Sequence, residues 1–567
     1  MTATLPPPPY TSPSAVFFAV LFVLGFVFRS LRLKTRSYPP GPAGFPLVGN
    51  LFQAPKLRQW VKFLEWARRY GSIFHLAVGP QHVIVLNTID AIEDLFVRQS
   101  RIFSERYAPH VAADIMSAGQ RLIFIGGSTE EFKNVRKALH STLSANSSRK
   151  LRPLQDLESR MTLYHLLMLS GENNANTKKP EGLNVVDRHW YSILNRFSTN
   201  VSVMAMYGSR LPDAFGSEKM LAIHQVSENV THMALPGAFL ADVFPLVRLL
   251  PDFLAPWRMR AKRLHEWESK LYGGFLSDII SDHKNGTNRP DCFVGSYIKN
   301  RAENGLEEAP GKGITSDGWI LDMLLAYSAG NVLEAGSDTT ACTLKIALLF
   351  LVNYPQVLQK ARDEVDAICG DDRLPAFEDE ASLPYLLAVI KEVMRCRPAI
   401  PLGLPHSPLD DTVYQGYFIP KGSTVIANAY ALHMDPLRFP EPTKFKPERW
   451  FAGKDDMKSM KWGSGPEHPR DHYLFGWGRR FCPGSHIAEA SLFIILSRYI
   501  WAFEFRTTGK PPNPWDEESY TGGFVTNPHR FEVSFVPRTE RHAEVIRGSF
   551  EDAQEQWEIL GMERDRV

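Results

Sequence analysis

The chain has 567 residues, 44% of them apolar and 22% charged, a balance ordinary for a folded globular protein. A net charge of +2, with no lysine and arginine stripe interleaved with aromatics, argues against nucleic acid as a partner. Five cysteines, odd in number, widely spaced and free of any Cys-x-x-Cys pair, argue against a disulfide framework or a zinc finger and for a reducing compartment.

The N-terminus differs in kind from the rest. Residues 1–14 carry no charged side chain, and "AVFFAVLFVLGFVF" (Ala15 to Phe28) is followed by Arg29, Arg32, Lys34 and Arg36. Basic residues placed after the apolar run, not before it, predict a permanent transmembrane anchor over 15–33, with a luminal segment 1–14 and the bulk of the chain in the cytosol. The basic, proline-rich stretch 34–50, with Pro39, Pro40 and Pro42, predicts a stiff hinge. No linker or repeat follows, so one large domain is expected over 51–537.

In that domain, 72–79 and 82–87 read as a strand pair turning at Gly79 and Pro80. Helical spacing is expected over 90–100, 129–145, 257–283, 316–353, 355–369 and 383–397, and strands return at 412–426 and 530–536. Regular alternation of strand and helix is absent, so the class is mainly α with small β-sheets. The apolar, proline-broken segment 232–256 is either a surface loop dipping into a membrane or a buried connection. The charged tail 538–567 is expected to be a solvated helix.

The chemistry concentrates in "FGWGRRFCPGSHIA", residues 475–488. Pro483 suits the start of a helix, and the apolar run after it reads as a long buried one. Cys482 would then lie at a helix N-terminus, where free N–H groups stabilise a thiolate and Gly484 must supply what Pro483 cannot. Gly478 and Gly484 allow a flat partner to approach, and Arg480 offers a cation to an anionic group upon it. Together these suggest haem.

Phe475-x-x-Gly478-x-Arg480-x-Cys482-x-Gly484 resembles the haem-binding loop of the cytochrome P450 superfamily at every fixed position. Three further motifs follow that family's order. In "AGSDTT" (335–340), the resemblance implies that Gly336 leaves room for dioxygen and that Thr339 and Asp338 deliver protons; Thr339 can also bond back to the Ala335 carbonyl. Glu392 and Arg395, with Arg449 of "PERW", correspond to a buried structural triad. Arg136 corresponds to a haem-propionate donor, where Phe132 replaces the usual tryptophan and lacks its N–H. His406 occupies a position often used for the second propionate, with an exposed histidine as the alternative.

The resemblance implies the cytochrome P450 fold with an N-terminal anchor, haem b ligated through iron by Cys482, and a monooxygenase that inserts one oxygen atom of dioxygen into a lipophilic small molecule. The hinge and the stretches "NAYALHMDP" and "FVPRTERH" are similar to fungal microsomal enzymes of secondary metabolism, which places the chain in the endoplasmic reticulum membrane. Electrons are then expected from NADPH through a separate cytochrome P450 reductase, with Arg479, Lys458 and Lys461 in a docking face. Ile123, Phe124, Leu235, Leu402, Phe524 and Val525 are expected to line an apolar substrate pocket. Two alternatives stay open: a haem-thiolate isomerase or dehydratase that needs no reductase, and a membrane-tethered haem sensor or carrier.

Overall fold

The computed structural model describes residues 37–565 apart from 47, 172–188, 214, 216, 236, 288 and 452–472. The expected anchor over 15–33, and Lys458 and Lys461, lie outside the described residues. Helices of five residues or more are numbered in chain order below.

The first is α1 (Gln59–Tyr70), which turns Trp60, Phe63 and Trp66 inward. Strands β1 (Ile73–Val78) and β2 (Gln81–Leu86) form the hairpin expected there, Ile73 opposite Leu86 and Val78 opposite Gln81. The helix expected over 90–100 is a single α-turn, Ile89–Ile92, continuing as a wider π-helix, Glu93–Arg98. After β3 (Glu105–Arg106) comes α2 (Glu130–Leu143), capped by Thr129, whose hydroxyl accepts the Phe132 N–H at 3.2 Å.

Helix α3 (Arg152–Gly171) packs on α4 (Trp190–Tyr207), and α4, α5 (Glu218–Ala234), α6 (Pro256–Asn285) and α7 (Phe293–Glu303) pack against the long α8 (Asp322–Asn353). By length and composition α8 could cross a bilayer, but 72% of its most apolar stretch is buried, so it is a core helix. It begins six residues later than its periodicity predicts, because residues 314–320 close on themselves through a bridge between Ile314 and Ile320. Helices α9 (Pro355–Cys369) and α10 (Pro384–Cys396) follow close to their expected places.

The region expected as strands over 412–426 is three of them, β5 (Thr412–Tyr414), β6 (Tyr417–Ile419) and β7 (Thr424–Ala427), preceded by β4 (His406–Ser407). Strand β7 pairs in parallel with β2 and antiparallel with β4, giving one sheet in the order β1-β2-β7-β4-β3. This sheet places His406 beside Arg106, its partner in register. Helix α11 (Ala429–His433) precedes the cysteine loop, and α12 (Ser485–Ala502) follows it, buried on all sides. A last hairpin joins β8 (Phe503–Thr507) to β9 (Val533–Pro537).

The tail corrects its expectation. Helix α13 (Glu540–Ile559) forms, but it buries Ala543, Ile546, Phe550, Ala553 and Trp557 against the body of the protein. Phe550 stacks on Tyr164 of α3 at 3.7 Å. Beyond the helix, the Asp565 carboxylate is buried between Arg196, at 2.7 Å, and Arg210. Glu158 pairs with both arginines at 2.8 Å, which completes a dry ionic quartet. The segment 237–256, by contrast, runs over the surface in short turns, with Leu246, Leu249 and Phe253 exposed.

Candidate functional site

The loop 473–484 is bent back on itself by the Cys482 N–H, which donates to the Phe475 carbonyl at 2.9 Å. Its tight turn holds Gly478 at φ +55°, and a Cβ there would stand 2.1 Å from the Phe96 carbonyl oxygen. Glycine is therefore required at 478 to pack the loop on the chain beneath it. Gly478 does not reach the cavity wall, so the expected role of admitting a flat partner does not fall to it. Gly484 does line the cavity, and no atom lies within 4 Å of where its Cβ would be.

Helix α12 starts at Ser485, two residues beyond Pro483, so Cys482 sits just ahead of its first turn. Burial pushes the thiol up from its ordinary range, while N–H donors of Gly484 and Ser485 and the charge of Arg136 oppose this. The other four cysteines are core residues. Cys482 alone among the five lines the large cavity.

That cavity has a volume of about 290 Å³, at the lower end of the range of ~300–1,000 Å³ typical of a single small-molecule site. Cys482, Phe475 and Ile487 line one side and α8 the other. At its edge stand Arg480, Arg136, His406 and Arg106. Arg480 donates from Nε to the Ser104 carbonyl at 2.8 Å and lies over the Phe132 ring at 3.7 Å, so the phenylalanine that replaces tryptophan keeps an aromatic contact. Arg136 donates to the Phe481 carbonyl at 3.0 Å.

Arg106, which sequence reasoning missed, holds the Leu404 carbonyl at 2.7 Å, and its Nε is buried without a partner among the described residues. Burial and the charges of Arg480 and Arg136 hold Arg106 well below the usual guanidinium range. Burial likewise brings Arg480 down to about 9, with Glu105 opposing and Arg136 adding to the fall. Such a cluster is costly unless an anion joins it. His406 is buried, not exposed: its Nδ1 contacts the Phe103 carbonyl at 2.6 Å, its ring stacks on Phe96 at 3.9 Å, and burial, then Arg106, hold it neutral.

On α8, Thr339 lines the cavity and its hydroxyl donates to the Ala335 carbonyl at 2.8 Å, as the sequence predicts. A Cβ on Gly336 would meet Ser202 Oγ at 2.3 Å, so this glycine also allows α4 to approach α8. Asp338 does not line the cavity. It faces α5, where Oδ1 meets His224 Nδ1 at 3.0 Å and Oδ2 accepts from the Ser227 hydroxyl. His224 Nε2 lies 3.3 Å from Thr199 Oγ1. Burial raises the Asp338 carboxyl, yet the His224 and Ser227 bonds bring it below its ordinary value.

Behind the loop, Arg395 makes a two-pronged contact with Glu392 at 2.8 and 2.9 Å, and Arg449 Nε adds a third at 2.9 Å. The Trp450 indole and the Lys446 N–H also donate to Glu392, at 3.1 and 3.0 Å. Arg395 reaches on to the His433 carbonyl at 2.9 Å, and His433 Nε2 accepts the Tyr473 N–H at 3.0 Å. A chain of bonds thus runs from Glu392 to the first residue of the cysteine loop. His433 lies in "NAYALHMDP", a stretch that carries a resemblance in the sequence but no sign of this bridging role.

A smaller apolar chamber adjoins the large cavity and shares Ile123, Ile400 and Arg106 with it. Ile123, Phe124, Leu235, Leu402 and Phe524 line it as expected; Val525 instead packs against the core.

The family model described as Cytochrome P450 matches residues 39–535. Cytochrome P450 monooxygenase 231 of Postia placenta is 44% identical over 567 residues, covering 98% of this chain and 99% of the relative. Cytochrome P450 monooxygenase fogE of Aspergillus ruber is 34% identical over 537 residues, 94% of this chain and 93% of the relative. A zebra fish cytochrome P450 solved with abiraterone has the same fold, with a TM-score of 0.63 over 85% of this chain and all of that one, at 24% identity.

Proposed function

The chain belongs to the cytochrome P450 family, monooxygenases that hold haem on a cysteine thiolate, and from that premise we propose that Cys482 carries haem b here and that the substrate is a lipophilic small molecule of fungal secondary metabolism. One observation carries the site assignment: Cys482 lies on the wall of a cavity edged by Arg106, Arg136 and Arg480, three half-buried cations that outnumber the one carboxylate acting on them, Glu105. The residues present therefore fit an iron porphyrin, with a soft sulfur for the metal and cations for its carboxylates. Bound there, haem supplies reductive activation of dioxygen and transfer of one oxygen atom to carbon.

The protein's own contributions follow from the geometry. Gly484 and Ser485 N–H groups temper the Cys482 thiolate. Arg480, Arg136 and Arg106 bind the carboxylates, with His406 buried beside them. Thr339 Oγ1, tethered to Ala335, holds a proton on the cavity side of α8, and the Asp338 carboxylate is held by His224 and Ser227 on another face. Glu392, Arg395 and Arg449 fix the loop through His433.

Electrons reach the site from NADPH through a separate reductase. Arg479, Lys133, Lys137, Arg149 and Lys150 are exposed on segments flanking the cysteine loop, which supports a basic docking face. Attachment to the endoplasmic reticulum membrane rests on the segment 15–33 and on an apolar surface in which Phe52, Leu246, Leu249 and Phe253 are 77%, 72%, 79% and 82% exposed. Gly237 packs beside Leu51, so the two parts of that surface adjoin. The segment 232–256 is on this reading a membrane-dipping loop.

The test is the carbon monoxide difference spectrum of the reduced protein beside Cys482→Ala. A strongly red-shifted Soret band that the variant loses is expected, followed by NADPH- and reductase-dependent turnover. A band typical of histidine or neutral-thiol ligation in folded wild type refutes the assignment.

A further inference from the structure

The cavity wall carries several hydroxyls, and those of Ser198, Ser202, Thr339 and Thr343 are spent on backbone carbonyls of α4 and α8 at 2.6 to 3.0 Å. Asn331 differs. It is buried on α8, lines the cavity, and its Oδ1 accepts the Ile123 N–H at 3.2 Å. That bond fixes the amide, since a flipped side chain would set N–H against N–H. Among the described residues, Nδ2 has no partner, and it is not sealed from the cavity. The loop it holds cannot drift, because Arg121, two residues before Ile123, is locked to Glu268 at 2.8 Å and to Glu334 at 2.7 Å. Ile123 lines both chambers, so this amide stands where they join.

We propose that Asn331 Nδ2 is the hydrogen-bond donor that orients the substrate, and that the substrate is a lipophilic molecule with a carbonyl or comparable acceptor at the end remote from the carbon oxidised. The inference rests on the monooxygenase reading above, in which Thr339 marks the reacting end. Asn331 precedes Thr339 by eight residues, roughly 12 Å along the helix axis at the usual rise. The acceptor and the oxidised carbon are therefore on the order of 10 Å apart. An unpaired buried amide favours a ligand that satisfies it over an isostere that cannot.

The probes are 4-acetylbiphenyl and 4-ethylbiphenyl, alike in shape and length but with and without a carbonyl at one end. Binding is read from the Soret shift of the ferric holoenzyme, and the position of hydroxylation from the products. Wild type is expected to favour the ketone and to hydroxylate it at the distal ring's para carbon. The ratio of the two dissociation constants is expected to fall about 5- to 10-fold in Asn331→Leu, with loss of that regioselectivity. Asn331→Asp keeps the bond from Ile123 but replaces the donor by an acceptor, so it should disfavour the ketone at least as strongly. Wild type that does not distinguish the probes, that shifts with neither, or a preference surviving in both variants overturns the inference. A missing thiolate-type carbon monoxide band would instead overturn the function itself, so the two failures are distinguishable.

Discussion

Arg121 is a single cation serving two buried carboxylates, Glu268 on α6 and Glu334 on α8, and this shortage makes the roof of the cavity sensitive to pH. Burial raises Glu268 from 4.5 to about 7, with Arg121 opposing and Glu334 adding to the rise. Burial raises Glu334 as well, Arg121 again opposing and Asp338 adding. The neighbouring Tyr327 and His265 are held neutral, mainly by burial. Between pH 4.5 and about 7 the folded chain keeps a proton on Glu268 that the unfolded chain has released, so stability falls as pH rises and the loss is complete above about 7. At about 1.36 kcal/mol per pH unit, this amounts to ~3 kcal/mol.

Glu268→Gln removes that cost and leaves Arg121 its bond to Glu334. For 567 residues an unfolding entropy of roughly 2.1 cal/mol/K each gives ~1.2 kcal/mol/K, so the predicted effect is about 2–3 °C. Scanning calorimetry of both proteins at pH 5 and pH 8 is the assay. The Tm of the variant minus that of wild type should rise by this amount between the two pH values. A difference that stays constant or falls would show that Glu268 is ionised throughout, and the one-cation reasoning would be wrong.

Arg106→Leu should act in opposite directions on the two forms of the protein. Removing a cation repelled by Arg480 and Arg136 should raise the Tm of the haem-free chain, while haem transfer to apomyoglobin quickens about 10-fold or more; an unchanged transfer rate would remove Arg106 from the carboxylate site. Asp565→Ala leaves Arg196 and Arg210 with Glu158 alone, and loss of one partner from such a buried cluster costs about 3–5 kcal/mol. The same entropy predicts a Tm lower by roughly 2.5–4 °C, and a change below the scatter of the scan would mean that the tail does not brace α3 and α4.

What could be read from the sequence is what repeats or is spaced locally. The hairpin at Gly79 and Pro80, the helices 355–369 and 384–396, and the Glu392–Arg395 pair are specified by neighbours in the chain. The tail was misjudged because its charged composition masks a stripe at 543, 546, 550, 553 and 557, which is a buried helix face once α3 is there to receive it. Arg106 carried no motif, and the stretch that holds His433 gave no sign of its place in the site. One joins the site through the pairing of β3 with β4, the other through its bonds to Arg395 and to the Tyr473 N–H, and these contacts close long loops that periodicity cannot see.

Asp338 and Thr339 show where linear reading stops. They are adjacent in the chain, but successive residues of a helix point about 100° apart, and here Thr339 lines the cavity while Asp338 turns aside. Which one turns is decided by α5, more than a hundred residues earlier, where His224 and Ser227 stand three apart on one face and both hold Asp338. The clamp places Thr339 toward Cys482 and keeps a titratable pair on the far side of the same helical turn. From there His224 reaches on to Thr199 of α4, so the Asp338 contacts run away from the cavity and into the packing of α4 and α5. The same helix thus carries the Asp338–His224 contact toward α5 and, on its cavity side, both Thr339 and Asn331.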